Sequence, residues 1–364
     1  MHKRFLVIFL IAFSAIAFAR PNSKAPTLTP QTSGTTQLLI SVSPVDSNVV
    51  WVGGTGGTFV VTTDGGNTWK AGVIPGAENL QFRDVQGVSD KVAYLMSIGG
   101  HSTDFKIFKT VDGGASWKIE FTNEMVGAFY DCFAFWGQDR GVTHSDSVSG
   151  VFPDIRTTDG KNWESIASNM PPALTGEASF SSSGTCITTQ GEGNAWIATG
   201  GSTIARILAT KDGGNTWNAY DTPLVSSATA GGFSVAFRDA RHGIVGGGDL
   251  STNSSVDAAT SEDGGQTWTL TNTPPVQGTI FCLAYASGLS HGEPDDDGNR
   301  TVVVTAETEP NFSSGSAAWT PDEGQTWFQL PTVSGFWGLA FANPKAGWFV
   351  GNNGTIMKIS FEGD

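Results

Sequence analysis

Apolar and polar positions alternate along this chain in a recurring order. An apolar run is followed by a turn, then a second run ending near paired glycines, then a polar turn led by Asp and closed by Trp. The first copy runs from Leu38 through Trp51-Val52-Gly53-Gly54 to Trp69, and later copies begin near Leu80, Tyr130, Gly176, Gly232 and Thr279. Short runs bounded by Gly and Asp predict strands and hairpins rather than helices. A seventh copy starts at Gly335, continues through Gly338-Leu339-Ala340-Phe341 and Gly347-Trp348-Phe349-Val350-Gly351, and stops before any Asp turn.

The turn itself is the strongest signal. Thr63-Asp64-Gly65-Gly66-Asn67-Thr68-Trp69 recurs around Asp112 and Trp117, Asp159 and Trp163, Asp212 and Trp217, Asp263 and Trp268, and Asp322 and Trp327. The Asp-to-Asp spacings are 48, 47, 53, 51 and 59. A period near 50 in a strand-rich chain predicts propeller blades. In each copy the Asp accepts N–H groups of its own turn, Gly supplies positive φ, and Trp lays its ring against the sheet. The third copy is one residue shorter, and the sixth has Pro321 and Glu323 beside Asp322. Six complete copies and one truncated copy predict an all-β, seven-bladed β-propeller over 37–364. The segment preceding Leu38 is expected to supply the missing outer strand of the last blade, which closes the ring and covers a sheet edge.

Composition narrows the class. Charged residues make up 15% of the chain, Gly accounts for 47 of 364 residues, and 20 basic against 34 acidic residues give −14. So acidic a chain lacks the electrostatic footprint of a nucleic-acid binder. His2, Lys3 and Arg4 precede a 14-residue apolar run, 5–18, that ends at Ala17-Phe18-Ala19. This reads as a signal peptide, 1–19, and implies an exported, periplasmic or extracellular protein. Residues 20–36, rich in Pro, Thr and Ser, read as a linker. No second apolar run is long enough to span a membrane, and a monomer is expected.

These repeats resemble the BNR or Asp-box propellers, a superfamily that includes sialidases, sortilin-type receptors and the photosystem II stability/assembly factors. The strings at 62–69 and 347–356 are most similar to the last of these, and the resemblance covers 38–364. It implies an exported, non-catalytic propeller that binds another protein as an assembly or stability factor. Members of that family engage nascent membrane-protein subunits through an arginine-rich surface, whereas this chain has nine Arg and is acidic.

Propeller ligands gather at the channel mouth where the innermost strands begin. Aligning those strands matches Phe82-Arg83-Asp84-Val85 with Phe129-Tyr130-Asp131-Cys132, and places Phe233, Phe281 and Trp337 at the equivalent position, with Glu177 at or beside it. The expected rim therefore holds Arg83, Asp84, Tyr130, Asp131 and Glu177 opposite three aromatic rings, which suits a protein partner or a glycan. The alternative reading is a carbohydrate-active hydrolase using Asp84, Asp131 and Glu177 as its carboxylates. A sialidase is disfavoured, because no Arg-Ile-Pro occurs and Tyr130 alone of the four Tyr falls near the rim.

No cofactor motif is present, and the five His residues show no metal-ligand spacing, so neither cofactor nor metal is expected. His242 reads as a turn residue. Glu293-Pro294-Asp295-Asp296-Asp297-Gly298-Asn299 resembles a calcium loop but has Val304 at its twelfth position, and reads as a solvated insertion. Of three Cys, Cys132 and Cys282 fall at matching positions across the channel, too far apart for a disulfide, and Cys186 reads as a buried strand residue.

Overall fold

The computed structural model describes residues 24–361 except 181, 253–255, 288–298, 309–311 and 313. The signal segment 1–19 and most of the calcium-like loop, 293–298, lie outside the described residues. The described part forms seven four-stranded antiparallel sheets. Beyond three single turns of 3-10 helix, the described residues hold strands, turns and loops. The chain is a seven-bladed β-propeller.

Blades 1 to 6 span 39–73, 81–122, 130–165, 187–221, 230–270 and 279–330, each in sequence order from its inner to its outer strand. Blade 7 takes three strands from 336–360. Its outermost strand is Thr27–Thr32, paired antiparallel with Thr355–Ser360 so that Thr27 opposes Ser360 and Thr32 opposes Thr355. The closing strand thus lies inside the stretch read as a linker, 20–36, and the propeller starts at Thr27 rather than at 37. A Pro/Thr-rich segment suits this place, because Pro30 needs no N–H on the free edge of an outermost strand.

The Asp turns join third to fourth strands on what we term the lower face. In the first copy, Asp64 Oδ1 accepts the Thr68 N–H at 2.9 Å and the Thr62 hydroxyl at 2.8 Å, while Oδ2 accepts the Thr68 hydroxyl at 2.6 Å. Thr62 Oγ1 also accepts the Gly66 N–H, and Gly65 and Gly66 have φ of 71° and 84°. The same bonds surround Asp112, Asp212 and Asp263. Hydrogen bonds from the Thr68 and Ser116 side chains hold the Asp64 and Asp112 carboxyls down to about 2. In the shortened third copy, Asp159 Oδ1 instead accepts from Lys161 and Asn162. In the sixth, Glu323 occupies a glycine position with φ 55°, a costly conformation for a side-chain-bearing residue. Its carboxylate is held there by Arg238 at 2.7 Å, Arg300 at 2.8 Å and the Tyr285 hydroxyl at 3.0 Å. Trp217 and Trp268 are buried, and the Trp residues of the other four copies are half-buried.

Candidate functional site

The inner strands converge on the channel, and six of them carry an irregularity at one shared place. The ladder shifts between Leu39 and Ser41, Phe82 and Asp84, Tyr130 and Cys132, Gly232 and Ser234, Ile280 and Cys282, and Phe336 and Gly338. The extra residue of each bulge is Ile40, Arg83, Asp131, Phe233, Phe281 or Trp337. A bulge re-aims the side chain it carries. Arg83, not Asp84, is therefore the equivalent of Asp131. The alignment drawn from sequence is one residue out in blade 2, and a one-residue slip moves a side chain to the other face.

These bulge residues meet at the upper mouth of the channel. Ile40, Phe233, Phe281 and Trp337 form one buried cluster with Phe180 and Phe312 packed against it. Phe180 stacks on Phe233 with ring centres 3.9 Å apart, and Phe281 meets Trp337 edge-on at 5.2 Å. The Arg83 guanidinium lies 5.5 Å from the Trp337 ring centre, across the mouth. Burial pushes Arg83 down to about 10, against the opposing pull of Asp131. The three aromatic rings predicted for the rim and the Arg83–Asp131 pair are thus brought together, inside a packed plug.

The predicted carboxylates are dispersed. Asp84 is buried, with Oδ1 accepting the Val85 N–H at 2.7 Å and Oδ2 the Phe133 N–H of blade 3 at 2.8 Å. Burial drives its carboxyl well above the usual range. Asp131 is also buried, and it lies close enough to Asp146 for the two carboxyls to repel. Burial and the Asp146 charge raise Asp131, and burial raises Asp146. Glu177 is fully buried beside blade 4, gripped by Arg206, the Thr199 hydroxyl at 2.8 Å and the Leu174 N–H at 2.8 Å. Tyr130 is buried, donating to the Pro153 carbonyl at 2.9 Å and stacking on Phe105. Among the described residues, no group of three or more His, Cys, Asp or Glu is placed to hold a metal ion.

In four blades the residue after the bulge links one blade to the next. Asp84 bonds the backbone of Phe133, Ser234 Oγ accepts the Leu283 N–H at 2.9 Å, and the Cys282 thiol donates to the Leu339 carbonyl at 3.3 Å. Between blades 3 and 4 the link is covalent, a Cys132–Cys186 disulfide with Cα atoms 6.1 Å apart. This corrects the reading of Cys186 as an unpaired strand residue, while Cys282 remains a buried thiol.

Blade 4 departs from the pattern. Its inner strand begins only at Ile187, not near Gly176, and residues 182–186 cross the channel instead. Ser182 and Ser183 both donate to the Phe281 carbonyl of blade 6, Gly184 at φ 78° lies against the Asp84 carboxyl of blade 2, and Thr185 Oγ1 meets Ser234 Oγ of blade 5 at 2.6 Å. A Cβ on Gly184 would clash with that carboxyl. Below this crossing the channel widens into a cavity of about 130 Å³.

The upper face outside the channel carries a feature missed in the sequence. Loop 123–129 enters blade 3 beside loop 146–152, where the Asp146 N–H bonds the Phe129 carbonyl at 2.9 Å. Here Val126 is 84% exposed, Met125 50%, Val151 47% and Phe129 38%. The signal was the apolar pair Met125-Val126 in a stretch otherwise polar enough for a turn.

No family model matches the chain, and no curated protein matches it. Solved structures do match its fold. YCF48 bound to a D1 peptide aligns over 92% of this chain and 97% of its own, at 18% identity and a TM-score of 0.62. YCF48 from Cyanidioschyzon merolae aligns over 92% and 98%, at 16% identity and 0.62. The RRP9 WD40 repeats align over 94% and 100%, at 10% identity and 0.62. The chain is similar to these proteins in fold, as a propeller.

Proposed function

We propose that this chain is an exported, non-catalytic propeller that binds another protein, as an assembly or stability factor does, and that it docks through the upper face of blades 2 and 3. The exposure of Met125, Val126, Phe129 and Val151 together carries this reading, since clustered apolar side chains left in water mark interaction surfaces. A propeller of similar fold bound to a peptide supports it. The placement of Asp84, Asp131 and Glu177 supports it too. Each is buried, and Asp84 and Glu177 spend both oxygens on partners within the protein, whereas a glycosidase needs two carboxyls facing a substrate about 5–5.5 or 6.5–9.5 Å apart. The test is affinity capture from an extract of the native host with wild type and a Val126→Asp/Phe129→Ser variant. The reading expects a protein retained by wild type and lost by the variant at unchanged melting temperature. Capture of the same proteins by both would overturn it.

A further inference from the structure

The two faces of the propeller differ in charge. Lys91, Arg140, Lys161, Lys211, Arg241 and Lys345 all stand in loops of the lower face. Among the described residues, the loops of the upper face contain no Lys or Arg. They carry carboxylates instead. Glu78 and Glu124 are exposed and Asp104 is half-buried, in the loops that lead into, cap and leave blade 2. The cations at nearby strand ends are already held: Lys106 donates to the Thr103 carbonyl at 2.7 Å, Arg206 pairs with Glu177, and Arg83 lies inside the plug. The apolar surface also runs further than blades 2 and 3. The Gly150 carbonyl beside Val151 accepts the Ala173 N–H at 3.1 Å, Arg206 donates to the Pro172 carbonyl at 3.0 Å, and the Ser202 hydroxyl donates to the Thr175 carbonyl at 2.9 Å. These bonds carry the surface through the loop that enters blade 4, where Pro172 is exposed and Leu174 half-buried, to loop 199–205, where Ile204 is 40% exposed.

From this we infer the chemistry of the docking partner: the upper face takes an apolar peptide segment flanked by Lys or Arg, laid across the loops from blade 2 to blade 4. The inference rests on the docking surface proposed above and extends it to Ile204. The apolar stripe supplies area from which anchor side chains exclude water. The carboxylates set the sign of the flanking charge. A cationic segment is attracted over a screening length of about 10 Å, whereas an acidic one meets like charge with no loop cation to offset it. Glu124 directly precedes Met125 and Val126 in the chain, so a basic residue beside the apolar anchor comes within reach of its carboxylate. A second copy of this chain fits poorly, because a two-fold contact through this face would bring two acidic surfaces together. An anionic lipid surface is repelled for the same reason.

The test is selection of peptides from a random phage-displayed library on the full chain, followed by fluorescence anisotropy with the selected peptides made synthetically. We expect peptides in which Lys and Arg outnumber Asp and Glu beside an aliphatic or aromatic anchor. Their binding should be lost in Val126→Asp/Phe129→Ser, and weakened at least about threefold by Ile204→Ser and about fivefold by Glu124→Lys, all at unchanged melting temperature. Raising NaCl from about 0.05 to about 0.5 M should weaken it as well. Acidic or uncharged peptides that still need Val126 and Phe129 would overturn the inference and leave the docking surface standing. Basic peptides that bind Val126→Asp/Phe129→Ser undiminished would overturn it as unspecific attraction to an acidic chain. A library that yields no binder would overturn a linear segment as the occupant, with the capture experiment above still judging the docking surface by itself. A dimer of the chain in sedimentation that Val126→Asp/Phe129→Ser dissolves would assign the face to a second copy and overturn it too.

Discussion

Cys186, immediately before the inner strand of blade 4, lies level with Cys132 in the inner strand of blade 3, and their disulfide performs covalently what Asp84 and Ser234 perform by hydrogen bonds in other blades. The bond closes a loop with a sequence separation of 54. Cys186→Ser should therefore lower stability by about 2–4 kcal/mol, and a reductant should lower the melting temperature of wild type but not of the variant. Cys282→Ser should leave reductant sensitivity intact. A wild-type melting temperature indifferent to reductant would contradict the link.

The closing strand gives a sharper expectation than the sequence offered. The sequence placed closure only somewhere in the segment preceding Leu38. With the strand at Thr27–Thr32, a truncation ending before Thr27 should melt like wild type. One removing Thr27–Thr32 strips blade 7 of its outer strand and leaves Thr355–Ser360 as an open edge. Matching denaturation curves for the two truncations would rule out this closure.

The Asp turns contribute to the fold through two separable interactions. Trp217→Ala removes a buried indole and should cost about 3–5 kcal/mol. Asp212→Ala leaves the Asn215 and Thr216 N–H groups without their acceptor and should cost about 1–3 kcal/mol. Equilibrium denaturation distinguishes the two, and the reverse order would refute the assignment.

Stability should fall from weakly acidic to weakly basic pH. Burial pushes the Glu307 carboxyl up to about 8 from an ordinary 4.5. The folded chain holds that proton where the unfolded chain has released it. The stabilisation is complete below about 4.5 and is lost as pH rises through about 8, by at most about 1.4 kcal/mol per pH unit. Asp257, raised by burial to about 6, acts in the same direction over a lower range. Glu307→Gln should flatten the profile between pH 5 and 8, and a variant profile parallel to wild type would contradict this origin.

Some of this was legible in the sequence because the Asp turns are local. Asp64 finds every partner within four residues, so the string alone encodes the hairpin, and six strings at one period encode the blades. The channel was less legible. The bulge in each inner strand adds a residue that no local pattern announces, which is why Asp84 was matched to Asp131 in place of Arg83. In blade 4 the chain crosses the channel before its strand starts. With that strand placed at Ile187, Cys186 falls level with Cys132 and the disulfide follows. Burial decided the fate of the carboxylates: Glu177 met Arg206 from the blade's third strand, a partner 29 residues away.

The central claim is that the upper face of blades 2 and 3 is where another protein docks. The most direct measurement is site-specific photo-crosslinking in the native host, with a benzophenone amino acid at position 126 and, separately, at position 111 on the lower face. Both positions are well exposed, so both probes sample water equally well. The account predicts a discrete covalent adduct with one protein from position 126 and none from position 111. Adducts of the same kind from both positions, or none from position 126 in the protein's own compartment, would contradict it.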